Sequence, residues 1–397
     1  MKIHRPIINA AEQALKEIFL NKEHADAVIK KTLKSDSRWG SRDRKFLAEV
    51  IYEVVRWYRR FETFSQNSNE EHKFLNLIGV YLSLKGIDFP DWFKEYEISP
   101  NYLEEKSSEI QSIRKIRDSY PDWMDDLLIK ELGEEAWDTE ATALNIPAAT
   151  YLRTNTLKSS VDDLRDNLSG KEIELSEIGI ENAFQLVQKR NITHLKEYQN
   201  GDFEIQDANS QLIAPFLNPQ KGELIIDACA GGGGKSLHLA ALLNNTGRIE
   251  AFDIHGWKLK NLRARATRAG AKNIFTHTIN ESTIKKFKGK ADRLLLDVPC
   301  TGMGVLKRNP GDKWMLSPQK VDDLVILQEK ILSEYVSMLK PGGTLVYATC
   351  SILPSENQNQ IANFLKMNSE NYSLEEEKQV LPSSGSDGFY MARLRKS

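Results

Sequence analysis

The chain has 397 residues, 40% hydrophobic and 28% charged, an ordinary globular composition that implies two or three domains. Its 54 basic and 56 acidic residues cancel to a net charge of -2, which by itself gives no reason to expect an anionic partner, but by segment the charge runs +6 over 1–60, -11 over 61–150, -4 over 151–220 and +7 over 221–397. Three cysteines without a CxxC pair exclude a disulfide framework and fit a reducing, cytoplasmic setting, while Glu12, Lys16 and Glu17 interrupt any leader, no window approaches roughly 18 apolar residues, and no histidine stands at metal-ligand spacing.

In chain order, residues 1–145 predict an all-helical domain. Phe46, Leu47, Val50, Ile51, Val54 and Val55 recur at three-and-four spacing, flanked by the cations Arg38, Arg42, Arg44, Lys45, Arg56, Arg59 and Arg60. From 61 the pattern stays helical but turns acidic, with turn signals at Pro90, Pro100 and Pro121. Residues 146–215 predict a small α/β segment, with a β-rich run from Thr150 and a helix-like stretch from Val161 to Leu168. From 216 to 397, short apolar runs at Leu224–Ile226, Ile249–Phe252, Leu294–Leu296 and Thr344–Tyr347 alternate with helical patterns, the signature of βαβ units around a mostly parallel sheet.

Between the run at 224 and a helical stretch lies Asp227-Ala228-Cys229-Ala230-Gly231-Gly232-Gly233-Gly234-Lys235-Ser236. Glycines at a strand-to-helix turn admit a ligand close to the backbone and to helix N-terminal amides. A P-loop needs a glycine where Cys229 stands, and a dinucleotide fingerprint from Gly231 needs Gly or Ala at Ser236, so both fail. Asp253 ends the next strand, about 20 residues on, where a carboxylate takes ribose hydroxyls. An acid opening the loop and no phosphate-neutralising motif suit a cationic cofactor without phosphates, S-adenosyl-L-methionine.

Two more strand ends carry thiols: Asp297-Val298-Pro299-Cys300-Thr301-Gly302 and Thr349-Cys350-Ser351. In an open α/β sheet both lie on the ligand-binding edge. Methylating an unactivated pyrimidine carbon requires a thiolate to add at carbon 6 and a second acid/base group to complete release. Asp297 is placed to accept from a cytosine amine, and Cys229 reads as a wall residue rather than a catalyst.

These motifs, with Lys307-Arg308-Asn309-Pro310, Lys313-Trp314 and the run Lys340 to Asn357, resemble the RNA cytosine-C5 methyltransferases of the RsmB/Sun type from about Tyr151 onward. The resemblance implies a class I Rossmann-like mixed sheet. It also implies Cys350 as nucleophile, Cys300 as the group that releases product, and a cofactor site of Cys229, Ala230, Gly231, Gly232, Gly233, Gly234, Lys235, Asp253, Asn280 and Asp297. Asn280 stands where the family carries an acid, and Gly-Gly stands for its usual Ala-Pro. Arg153, Asn155, Lys307, Arg308 and Asn309 are the implied RNA-binding residues. The start resembles, more loosely, a NusB-like RNA-binding domain through Arg42–Tyr52 and Arg56-Trp57. The expectation is therefore a monomer, without metal or membrane, that methylates carbon 5 of a cytosine in small-subunit ribosomal RNA. Transfer RNA, a non-catalytic ribosome-assembly role on the same fold, and a protein or small-molecule acceptor are the alternatives.

Overall fold

The periodic stretch around Val50 forms the helix Ser41–Arg56, and all six of its apolar positions are buried. In the computed structural model, which describes residues 3–65 and 70–397, it belongs to the first of two compact units, Met1–Ile146 with Leu306–Pro318. Here the helices Arg5–Phe19, Ala25–Thr32 and Lys73–Leu84 bury their apolar faces in one core with Phe61, Phe64 and Phe93. Ser99 caps the helix Pro100–Glu109, with Pro100 opening it where no amide is needed.

The segment Leu306–Pro318 was expected to accompany the catalytic residues on either side of it, and the structure assigns it to the helical unit. The Trp314 indole donates to the Val55 carbonyl at 2.7 Å, and the buried Lys313 amine to Asn145 Oδ1 at 2.7 Å. These polar anchors lie far away in sequence, which is why local patterning does not reveal them.

The second unit comprises Pro147–Val305 and Gln319–Ser397. Its strands are β1 (Tyr151–Thr154), β2 (Leu175–Glu177), β3 (Ala183–Leu186), β4 (Phe203–Ile205), β5 (Leu224–Asp227), β6 (Arg248–Asp253), β7 (Ile274–Thr278), β8 (Ala291–Asp297), β9 (Leu339–Thr349), β10 (Tyr372–Val380) and β11 (Phe389–Lys396). The first four make an antiparallel sheet in the order β2-β3-β1-β4. The other seven run β10-β11-β9-β8-β5-β6-β7, with β11 antiparallel between β9 and β10 and the remaining pairs parallel.

Buried on both faces, the parallel strands read as unbroken apolar runs such as Leu294, Leu295 and Leu296, all at 0% exposure. Chain order reverses between β5 and β8, the position where an open α/β sheet leaves a crevice at its carboxyl edge. No helix among the described residues is long and apolar enough to cross a membrane.

Candidate active site

The loop after β5 turns sharply into the helix Gly234–Leu242 because Gly231 and Gly233 adopt φ of +54° and +85°. A Cβ at Gly233 would lie 2.4 Å from Leu262 Cγ, so both conformation and space demand glycine. Two arginines hold the loop by its carbonyls: Arg265 donates to Gly232 O at 2.6 Å and Arg153 to Gly234 O at 2.9 Å.

Three carboxylates converge on this turn. Asp253, at the end of β6, accepts the Gly231 amide at 3.0 Å and the His255 amide at 2.8 Å. Asp297, at the end of β8, pairs through Oδ2 with Lys235 Nζ at 2.6 Å. Asp227 accepts the Ser236 hydroxyl on Oδ2 at 2.6 Å, whereas its buried Oδ1 has no partner. Burial pushes the Asp227 carboxyl up to about 7. Burial, with the charges of Asp227, Asp297 and Asp253, raises the Cys229 thiol well above its ordinary value. Burial also opposes the charge on Lys235, but the attraction of Asp297 outweighs it and Lys235 stays strongly basic.

The thiols of Cys300 and Cys350 lie 3.3 Å apart, within hydrogen-bond reach. They come from the loops after the neighbouring strands β8 and β9, joined by the Val298 amide donating to Ala348 O at 3.0 Å. Gly304 seals the arrangement, donating to Cys350 O at 3.0 Å and accepting from the Gly388 amide at 2.7 Å. A Cβ there would stand 2.3 Å from Gly388 O and 2.8 Å from Cys350 O. The hydrogen bond from Cys350, then burial and the negative charges of Cys350 and Glu356, raise the Cys300 thiol well above its ordinary value. Cys350 and Asp227 add smaller contributions to the raised basicity of Lys235.

A family model described as 16S rRNA methyltransferase RsmB/F matches residues 214–395, and a ferredoxin-like domain model of RsmF/B-like methyltransferases matches 120–193. A probable ribosomal RNA small subunit methyltransferase B of Synechocystis sp. is 34% identical over 300 residues, 70% of this chain and 67% of that protein. The ribosomal RNA small subunit methyltransferase B of Vibrio cholerae is 30% identical over 394 residues, 89% of this chain and 90% of that protein. The chain belongs to this RsmB/F family. The crystal structure of a methyltransferase homologue from Pyrococcus horikoshii, 28% identical, superposes with a TM-score of 0.64 over 76% of this chain and 100% of that one.

The cofactor of an RsmB/F protein is S-adenosylmethionine, and the site suits it. A buried, unpartnered carboxylate oxygen beside a side-chain-free turn accepts a cationic donor. Among the described residues no cluster of His, Cys, Asp or Glu could hold a metal ion.

Several residues expected at the RsmB/F ligand sites have other partners. Arg153 is 2% exposed and bonded to Gln206 and the glycine loop, and Asn155 donates to Gly201 O at 2.7 Å and Ala269 O at 2.8 Å. Both are buried and bonded to the protein around the site, although Arg153 Nε has no partner. Asn280 is exposed and caps the helix Glu281–Phe287, its Oδ1 accepting the Thr283 amide at 3.0 Å. Lys307 is 4% exposed within the helical unit, where its carbonyl takes Arg56, and half-buried Arg308 and Asn309 follow it in the same unit. The expected basic face also divides. Arg38, Arg42, Arg44 and Lys45 are exposed, whereas Arg56 is buried and Arg59 holds Tyr120 O at 2.7 Å. Sequence reasoning passed over Glu356 and Gln328, which tie the Cys300 loop. Glu356 stands in the polar run Ser355-Glu356-Asn357-Gln358-Asn359-Gln360, so local composition gave no sign of it.

Proposed function

We propose that this protein methylates carbon 5 of a cytosine in small-subunit ribosomal RNA, with Cys350 as the nucleophile and Cys300 as the group that releases the product. The substrate class follows from the names of the relatives. The chemistry rests on one observation, two thiols 3.3 Å apart at adjacent strand ends beside the Lys235–Asp297 pair.

The Cys350 thiolate adds to carbon 6 of the base, and the displaced π electrons make carbon 5 nucleophilic. S-adenosylmethionine, when bound, supplies the methyl group that carbon 5 takes up. Asp253 is assigned the ribose hydroxyls, since each of its oxygens keeps a lone pair beyond its amide bond, and Asp227 Oδ1 the cationic amine. Lys235 occupies only Oδ2 of Asp297, which leaves Oδ1 to accept from the exocyclic amine of cytosine. A keto oxygen there, as in uracil, would meet the carboxylate without a proton between them.

Cys300 is poised for the last step by its neighbour. What raises its affinity for protons is chiefly Cys350 itself. Once Cys350 is a neutral thioether its charge is gone while burial remains; Cys300 gives its own proton to solvent and, as a thiolate, takes the proton from carbon 5. The electrons of that C–H bond re-form the 5,6 double bond as the carbon–sulfur bond breaks and the Cys350 thiolate leaves.

The test uses labelled S-adenosylmethionine with ribosomal and transfer RNA from cells lacking the modification. Wild type should label small-subunit RNA at cytosine. Cys350→Ala should lose activity by roughly a thousandfold or more and form no adduct. Cys300→Ala should accumulate a protein–RNA adduct that survives a denaturing gel. Retained turnover in Cys350→Ala overturns the covalent mechanism, the opposite adduct pattern exchanges the two thiols, and label confined to transfer RNA overturns the substrate.

A further inference from the structure

Each thiol stands between two residues tied to one buried side chain, and the two side chains that tie them are adjacent in sequence. Glu356 is 0% exposed. Its Oε1 accepts the Thr301 amide at 2.8 Å and Gln328 Nε2 at 2.9 Å, and its Oε2 accepts the Thr301 hydroxyl at 2.6 Å. Gln328 Nε2 also donates to Pro299 O at 2.9 Å. The residues before and after Cys300 are thus both fixed to Glu356, one directly and one through Gln328.

Asn357, also 0% exposed, treats Cys350 in the same way. Its Oδ1 accepts the Thr349 hydroxyl at 2.5 Å and its Nδ2 donates to Ser351 O at 3.0 Å. The dipeptide itself is held by the Tyr347 hydroxyl, which donates to Glu356 O at 2.7 Å. Three donors offset the cost of burying the Glu356 carboxylate, and no step of the chemistry above uses it.

We infer that Glu356 and Asn357 are a pair of positioning residues, Glu356 for Cys300 and Asn357 for Cys350, and that their shared peptide bond fixes the spacing of the two thiols. This rests on the two-thiol mechanism proposed above. It adds that neighbouring residues govern opposite halves of the reaction: loosening the Glu356 clamp impairs release, and loosening the Asn357 clamp impairs attack.

Near-isosteric variants of the outer partners test this. Thr301→Val removes the hydroxyl bond to Glu356, together with weaker contacts at 3.3 Å to Ser351 Oγ and the Met303 amide, and Thr349→Val the one to Asn357, together with the acceptor of the Ser351 amide at 3.2 Å. Each should slow turnover by about 10- to 100-fold, the usual consequence of misplacing a reacting group by a fraction of an ångström to an ångström. Thr301→Val should accumulate the Cys350–RNA adduct, and Thr349→Val should not. Glu356→Gln, which keeps an acceptor for the Thr301 amide, should recover part of the turnover that Glu356→Ala loses. Equal adduct levels in the two valine variants, or wild-type turnover in both, overturn the inference. Cys300→Ala run in parallel separates the two ideas, since absence of adduct there breaks the assignment of the two thiols on which the inference rests. The clamp is then read from diamide, which oxidises the two thiols to a disulfide as it is reduced to its hydrazine. Closure should be slower in both valine variants than in wild type, and unchanged rates overturn the inference on their own.

Discussion

Lys313 in the helical unit and Asp227 in the sheet unit are both removed from solvent, yet their bonding is finished in one case and open in the other. The Lys313 amine donates to Asn145 Oδ1 at 2.7 Å and lies within 3.5 Å of the carbonyls of Ser119, Asp118 and Arg56. It also sits 3.9 Å from the face of Tyr120. Asp227 has one oxygen bonded to Ser236 and the other bonded to nothing. A buried polar group whose capacity is filled within its own unit is scaffold, and one with an unfilled oxygen on a glycine-lined turn awaits a ligand.

The largest effect expected from this contrast is on folding. Lys313→Ala leaves Asn145 Oδ1 without its donor, strips a hydrogen from a ring of carbonyls and opens a cavity against Tyr120. The loss should be about 3 kcal/mol of stability, seen as an earlier urea transition of the full-length protein. Asp227→Asn in the sheet unit should shift that transition by no more than about 1 kcal/mol, because only the Ser236 bond changes character. Equal shifts for the two variants would erase the distinction between closed and open burial.

The same contrast explains which parts of the molecule could be read from the sequence. The glycine loop, Asp253, Asp297 and the two thiols were legible because each sits at a strand end marked by an apolar run, and because their chemistry is carried by neighbours in sequence. Arg153 and Asn155 were not, since the family resemblance implied RNA contact while their partners lie far off in the chain, and nothing local to Lys313 announced its burial. Asn155 reaches Gly201 and Ala269, 46 and 114 residues away, and Lys313 reaches Asn145, 168 residues away. Asn280 carries the opposite lesson. Its partner Thr283 is three residues on, a local capping signal that the family comparison of that position overrode.

The open side of the comparison has a pH signature. With its carboxyl raised to about 7, Asp227 is anionic above that pH and neutral below it. Affinity for a cationic cofactor should therefore be flat at alkaline pH and fall by up to about tenfold per unit as pH drops through 7. Calorimetry in buffers of different ionisation enthalpy should show proton release on binding near neutrality, as the bound cation drives Asp227 to its charged form. Asp227→Asn should bind more weakly and lose both the pH slope and the proton release. A variant that kept the slope would locate the titrating group elsewhere.

The smallest effect concerns the cations of the helix Ser41–Arg56, which divide between buried and exposed positions. Arg56 is buried and bonded to Lys307 O at 3.1 Å, whereas Arg42 and Lys45 are exposed, with no ion-pair partner among the described residues. Replacing Arg42 and Lys45 with Gln should leave stability within about 0.5 kcal/mol. If the helix meets the phosphate backbone, the slope of log affinity for RNA against log salt should fall by roughly 0.7 to 0.9 per cation removed. Arg56→Gln should do the reverse, lowering stability because the Lys307 carbonyl loses a charged donor, while the salt slope holds. An unchanged slope in the Arg42/Lys45 variant would make those exposed cations a solvated face, and the RNA-binding surface would then have to be sought on another part of the chain.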